Sequence, residues 1–297
     1  MLNFPIHSPV EELTLPLFRE KAVRVFIKRD DMIHPFISGN KWRKLKYHLQ
    51  TALQQKKHHL VTFGGVWSNH LVATACTAAK FGLTSTAFIR GEELQTDALF
   101  FCKLFGMNLI FTDRESYRDK KKLFANEFEN DNSAYFIDEG GAGIEALLGC
   151  AELASELTET YDHIFCAAGT GATAAGLIKG VSEKYPESRV SIVPVLKGAD
   201  FVRREIASQI TFETDFDFYP DYHFGGYAKS SPQLLQFIKE FSAQTGILLD
   251  PVYTGKMMFA LFDLVKKDQF PSKSTLLAIH TGGLTGLLGF KDKFSNL

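Results

Sequence analysis

The sequence predicts an α/β protein built on open, twisted, mainly parallel sheets with flanking helices. Three observations predict it. Short apolar runs alternate with helix-period segments along most of the 297 residues. The joins are rich in glycine and small polar residues, the usual punctuation between strand and crossover helix. The balance of 45% hydrophobic and 23% charged residues suits a water-soluble core large enough for two domains or one large one.

The elements follow in order. "VRVFIKRDD" (Val23 to Asp31) is a strand running into a polar loop, and a helix starts near Asn40. "HHLVTF" is a strand and Ser68 to Phe81 a helix; "TSTAFI" is a strand and Thr96 to Phe105 a helix. "NLIFT" precedes a helix over Arg114 to Glu129, and "AYFI" one over Ala142 to Leu157. "HIFCAA" leads into a helix from about Ala172, and "RVSIVPV" is the next strand. Ile210 to Tyr219 reads as strand-rich. Helices over Pro232 to Gln244 and Gly255 to Lys267 and the strand "TLLAIH" close the pattern.

Composition excludes several function classes. Lys+Arg is 33 and Asp+Glu 34, so no global field draws nucleic acid or an anionic membrane. No apolar run approaches the ~20 residues of a membrane span, and "MLNFPIHSPVEEL" lacks the basic and apolar regions of a secretory leader. Cys76, Cys102, Cys150 and Cys166 form no C-x-x-C pair and sit among apolar neighbours. That argues against disulfides or a metal site and for a reducing, cytoplasmic compartment.

Three segments carry chemistry. In "HIFCAAGTGATAAGLIKG", Gly169, Gly171 and Gly176 let the backbone turn and approach a ligand, and the loop amides with the helix start suit a phosphate. The spacing G-x-G-x-x-x-x-G departs from the dinucleotide fingerprint, no acid follows to bind a ribose, and no Gly-Lys-Ser/Thr follows either. A small phosphate without a nucleotide fits; a purely structural turn fits the loop equally well. In "SGNKWRKLKYHL", Ser38 or Asn40 can cap the helix, which places Lys41 in its first turn. Trp42, Leu45, Leu49, Ala52 and Leu53 form the apolar stripe, with Lys41 and Lys46 at its edges and Arg43 and Lys44 pointing away. The positive helix end favours a neutral, nucleophilic amine at Lys41, although position alone also admits an ordinary surface lysine. In "GGVWSNH", Ser68, Asn69 and His70 crowd a helix start that needs one cap.

"SGNKWRKL", "GGVWSNH", "AAGTGATAAGL", "DPVYTGK" and "HTGG", in this order, resemble the pyridoxal-phosphate enzymes of the tryptophan synthase β fold. Among these the chain is most similar to the group of D-cysteine desulfhydrase and 1-aminocyclopropane-1-carboxylate deaminase. The resemblance runs from about Lys28 to Gly283. It implies two α/β domains, 1–44 plus 150–297 and 45–149, with pyridoxal 5'-phosphate in the cleft between them. It implies that Lys41 carries the cofactor and moves the α-proton. Ala168, Gly169, Thr170, Gly171, Ala172 and Thr173 would cradle the phosphate, Asn69 the ring oxygen and Thr281 the ring nitrogen. A hydroxyl at that nitrogen is a weaker electron sink than a carboxylate pair, which suits elimination. Ser68, Asn69, His70, Tyr227, Tyr253 and Thr254 would face a small amino-acid substrate, with Ser68, Tyr227 and Tyr253 in proton or carboxylate roles. No metal is expected, and a homodimer is.

Within the group, cyclopropane deaminases typically read Ser-Asn-Gln and Tyr-Glu-Gly where this chain has Ser68-Asn69-His70 and Tyr253-Thr254-Gly255. Both departures match the D-cysteine desulfhydrase pattern. The expectation is β-elimination from a small D-amino acid, giving pyruvate, ammonia and sulfide. Deamination of the cyclopropane amino acid to 2-oxobutanoate is the alternative. A nucleotide-dependent oxidoreductase and a catalytically idle amino-acid-binding protein are the rivals of other classes.

Overall fold

A computed structural model describes residues 4–210 and 214–295. It opens with a short strand β1 (Val10–Glu12), helix α1 (Pro16–Glu20) and β2 (Arg24–Lys28). Helix α2 (Asn40–Gln54) then leads to β3 (His59–Gly64), α3 (Asn69–Lys80), β4 (Thr84–Arg90), α4 (Asp97–Leu104) and β5 (Asn108–Thr112). Helix α5 (Lys120–Phe128), β6 (Ala134–Phe136) and α6 (Ile144–Ser155) follow. The remainder is β7 (His163–Ala168), α7 (Ala172–Lys184), β8 (Arg189–Pro194), α8 (Asp200–Gln209), β9 (Asp217–Phe218), α9 (Pro232–Thr245), α10 (Thr254–Lys266), β10 (Thr275–Ile279) and α11 (Lys291–Ser295).

The strands form two sheets. One has six strands in the order β1-β2-β10-β7-β8-β9, parallel except for β1 against β2. The other has four parallel strands, β5-β4-β3-β6. Strand periodicity divides the larger core into two layers. Val25, Ile27, Phe165, Val193 and Ala278 face α9 and α10. Phe26, Ile164, Cys166, Ile192 and Leu277 face α6 and α7. In the smaller sheet Val61, Phe63 and Phe88 pack on Tyr117 and α5.

Three expectations need correction. The helix over Arg114 to Glu129 is broken: Ser116–Arg118 is a separate 3-10 turn, and Asp119 caps α5 by accepting from Lys122 N at 3.0 Å. Of the strand-rich stretch Ile210 to Tyr219, the described part yields only Asp217–Phe218, and residues 211–213 lie outside the described residues. Gly176 is no part of a ligand loop. It lies inside α7, where a Cβ would sit 2.7 Å from the Leu147 carbonyl oxygen, so it serves close packing of α7 on α6.

Candidate active site

A cavity of about 620 Å³ lies where the strands of both sheets end. Ser68, Asn69 and His70 reach it just past β3, Gly140 past β6, Ala168 to Gly171 at the end of β7, and Thr281 to Gly283 past β10. In each sheet strand order reverses at this point: β7 runs on to β8 while β10 lies on its other side, and β3 runs on to β4 while β6 lies on its other side. Carboxyl ends of strands at such reversals are where open α/β sheets bind ligands.

Lys41 stands in the first turn of α2 and lines this cavity. Neither expected side chain caps that helix. The cap position is Gly39, at φ +59°, where a Cβ would lie 1.9 Å from the Thr281 carbonyl oxygen. Only glycine permits both the conformation and the approach. Asn40 instead donates to Thr173 Oγ1 at 2.8 Å, and Ser38 Oγ accepts from Gly283 N at 3.3 Å. The lysine's helix start is thereby fastened to the glycine loop and to the end of β10. Burial, helped by the nearby charge of Lys44, lowers the Lys41 pKa to about 7. The amine is therefore substantially neutral at ordinary pH.

Its helix neighbours depart from the expected wheel. Arg43 and Lys44 point inward, not away. Arg43 is buried against Asp30, at 2.6 and 2.8 Å, and Glu156, at 2.8 Å. Lys44 is buried, donates to the Gly140 carbonyl at 3.1 Å and lines the cavity as a second amine. Lys46 pairs with Glu152 at 2.7 Å and is not in the cavity lining, so of the two stripe-edge lysines only Lys41 reaches the cavity.

The glycine loop turns from β7 into α7 through Gly171 at φ +89°, and no side chain caps α7. Its first-turn amides are thus left for a ligand. Ala168, Gly169, Thr170, Gly171 and Thr173 line the cavity, whereas Ala172 is buried behind them. Strand β8, which follows α7, ends Val193-Pro194 without the acid that a nucleotide ribose would need.

Ser68 occupies the cap position of α3, yet its hydroxyl makes no capping bond. It is free toward the cavity. Asn69 donates to the Gly283 carbonyl at 3.1 Å and accepts from Thr285 Oγ1 at 2.6 Å, which ties α3 to the segment after β10. His70 is buried, with Nε2 2.7 Å from Thr62 Oγ1. Because Thr62 gives its own proton to the Ile137 carbonyl at 3.0 Å, it accepts from His70. The proton is assigned to Nε2, and Nδ1 is left as an acceptor with no protein partner. Burial and the charges of Lys41 and Lys44 hold the imidazole well below its ordinary pKa, so it is neutral.

Tyr253 and Tyr227 both line the cavity and pack edge to face, with ring centroids 6.1 Å apart. Tyr253 abuts the glycine loop: a Cβ on Gly169 would meet its Cε1 at 3.1 Å. Burial, with Tyr227 alongside, raises its pKa well above the ordinary value, so it stays a proton donor. Thr281 also lines the cavity. Thr254 does not. Its hydroxyl is buried on Asp250 Oδ1 at 2.8 Å, in the turn that presents Tyr253.

Sequence reasoning missed the residues that hold this frame. Asp250 is fully buried and accepts from the amides of Val252, Tyr253 and Thr254 at 2.8 to 2.9 Å. Lys256 donates to the carbonyls of His223 and Gly226, each at 2.8 Å, and so pins the loop that carries Tyr227. Both belong to "DPVYTGK", where an Asp before a turn was the available signal. Asn40, Lys44 and Thr62 gave none.

These residues fit an aldehyde coenzyme with one phosphate. An amine with its pKa lowered to about 7, an uncapped glycine-lined helix start, the Ser68 side chain and the His70 imidazole share one cavity. Among the described residues no group of three or more His, Cys, Asp or Glu side chains is placed to hold a metal, and no helix is long and apolar enough to cross a membrane.

Comparison with known proteins agrees. The family model for pyridoxal-phosphate dependent enzymes matches residues 7–282. A Pyrococcus horikoshii protein provisionally named 1-aminocyclopropane-1-carboxylate deaminase is 32% identical, covering 99% of this chain and 94% of its own length. A Thermotoga maritima protein with the same provisional name is 33% identical, covering 94% and 95%. A solved structure described as an ACC deaminase homologue superposes with a TM-score of 0.86 at 32% identity, covering 99% of this chain and 94% of the other. A fungal L-serine ammonia-lyase from Rhizomucor miehei shares the fold, with a TM-score of 0.74 at 15% identity over 97% of each chain.

Proposed function

Because this chain belongs to the pyridoxal-phosphate dependent enzymes, we propose that it converts a small amino acid to an α-keto acid and ammonia by β-elimination, D-cysteine being the model substrate. The observation that carries this is the Lys41 amine, with its pKa near 7, in one cavity with the Gly169–Thr173 loop. The cofactor, when bound, supplies an aldehyde for amines and a conjugated ring that takes up the electrons released at the α-carbon. The loop and the start of α7 would hold its phosphate, with Lys44 as a further donor. Lys41 would hold it covalently, and its Nζ would take the α-proton of the substrate. The Ser68 hydroxyl and the first amides of α3 bind the substrate carboxylate. His70 Nδ1 accepts a hydrogen bond from the substrate, and Tyr253, a proton donor, meets the departing sulfur. The Cβ–S bond breaks with its electron pair going to sulfur. Water then completes the balance to pyruvate, ammonia and hydrogen sulfide.

Two observations favour elimination over ring opening. Thr254 brings no charge to the cavity, and Glu139 is the only carboxylate in the lining among the described residues. The provisional names of the relatives favour the second reading, deamination of 1-aminocyclopropane-1-carboxylate. We take the two sheets as cores of two domains, 1–44 plus 150–297 and 45–149, although both boundaries fall inside helices, α2 and α6. A homodimer and a cytoplasmic location, in keeping with four free buried cysteines, complete the proposal. The test is a keto-acid assay on yellow, borohydride-fixable protein. Turnover of D-cysteine with a Lys41-linked peptide is expected. Turnover of the cyclopropane substrate alone would overturn the ranking.

A further inference from the structure

A second cavity, of about 570 Å³, adjoins the first and shares Arg90, Arg114 and Glu139 with it. Its remaining walls are Tyr117, Arg118 and Lys120. Four cations therefore meet one carboxylate. Glu139 is partly spent on Lys120, at 3.5 Å, and stands 4.0 Å from Arg90; Asp138 also reaches Lys120, at 3.4 Å. Arg114 and Arg118 have no ion pair or hydrogen bond from their side chains among the described residues. The annex thus keeps a positive excess beside the first cavity.

Its floor is built, not incidental. Tyr117 lines this cavity and is 3% exposed, and its hydroxyl is buried without a hydrogen-bond partner among the described residues. Burial pushes its pKa far up, so it remains a donor. Its ring carries the Arg90 guanidinium at 5.5 Å and the Lys120 ammonium at 5.8 Å, which pre-positions both cations. An unsatisfied buried donor under a ring of guanidinium groups matches a carboxylate, sulfonate or phosphate.

We propose that this annex binds a second anionic group on the substrate, so that the preferred substrates are amino acids whose β-substituent ends in a negative charge. The proposal rests on the elimination reading, because it assumes that the first cavity holds the amino-acid end.

The experiment compares matched ligands on the holoenzyme by calorimetry: S-carboxymethylcysteine against S-propylcysteine, each as D and L isomers, with free acetate and phosphate as separate arms. Binding is measured whether or not turnover occurs. The anionic member should bind at least tenfold more tightly. Tyr117→Phe, which keeps the ring, and Arg118→Ala should each cut that ratio several-fold, read against the neutral ligand in the same variant. Equal affinities for the pair, or a ratio unchanged in both variants, would overturn the proposal. Tight binding of free phosphate or acetate that leaves the ratio intact would also overturn it, since the annex would then serve a free anion. Absence of keto acid from any ligand refutes the elimination reading and leaves the binding ratio to decide the annex.

Discussion

Replacing Lys41 by methionine should stabilise the cofactor-free protein, and only below alkaline pH. The side chain keeps most of its length and loses its charge. In the folded chain burial lowers the lysine pKa from 10.5 to about 7. Between those values the unfolded chain holds a proton that the native chain lacks, so wild-type stability rises with pH across that window. Below about pH 7 the native state bears the whole cost of a buried ammonium. A shift of this size corresponds to about 5 kcal/mol as an upper limit. The side chain is half-buried and the cavity opens to solvent, so about 2–3 kcal/mol is the working figure. Urea unfolding of cofactor-free wild type and Lys41→Met at about pH 6 and about pH 10 measures it. The variant should be the more stable at the lower pH, and the gap should close by the upper. Lys44 and Lys256 also titrate low, but they are present in both proteins. A gap independent of pH, or a variant less stable near pH 6, would refute the claim that this amine is held neutral.

Three other substitutions probe the frame. Gly39→Ala puts a Cβ into the Thr281 carbonyl at a positive φ; a loss of about 3 kcal/mol or more, with weakened cofactor absorbance, is expected in thermal melts and visible spectra. Lys256→Met leaves the His223 and Gly226 carbonyls unpaired; it should lower kcat about tenfold by freeing the Tyr227 loop, at a cost of about 1–3 kcal/mol in stability. An unchanged kcat would show that Lys256 is structural only. Thr62→Val strands the His70 Nε2 proton; about 1–3 kcal/mol of stability should go, and kcat/KM should fall more than for a surface Thr→Val control.

How much of this was legible depends on range. The alternation of strands and helices is a local signal, and it located the parallel strands of both sheets, although it made the short β9 too long. Helix α8 was missed because Phe201, Val202 and Ile206 alone break a polar run that reads as loop. The short strand β1 was missed because its meaning lies in pairing with β2, not in its own three residues. Within the site the same division holds. Lys41, Ser68, Asn69, His70, Tyr253 and Thr281 stand in motifs and meet in one cavity. Thr254 stands in a motif as well, but its partner is Asp250, four residues earlier. Asn40 bonds Thr173, 133 residues away, and no periodicity records that.

Helix α2 shows why hydrophobic patterning cannot say which buried cation does chemistry. It turns Lys41, Arg43 and Lys44 inward within four residues. A wheel that sorts residues by polarity expels Arg43 and Lys44, yet both are buried. The outcomes differ because the partners differ. Arg43 meets the carboxylates of Asp30 and Glu156 and is held charged, its pKa well above the ordinary value. Lys44 finds one carbonyl. Lys41 has no ion pair among the described residues; burial and the charge of Lys44 outweigh the weaker field of Asp250 and bring its pKa down to about 7. A buried cation with carboxylate partners stays charged; a buried amine without them is pushed toward its neutral form. The partners of Arg43 are Asp30, in the turn after β2, and Glu156, just past α6, segments far apart in the chain, so the charge state of each cation follows from the fold and not from the helix.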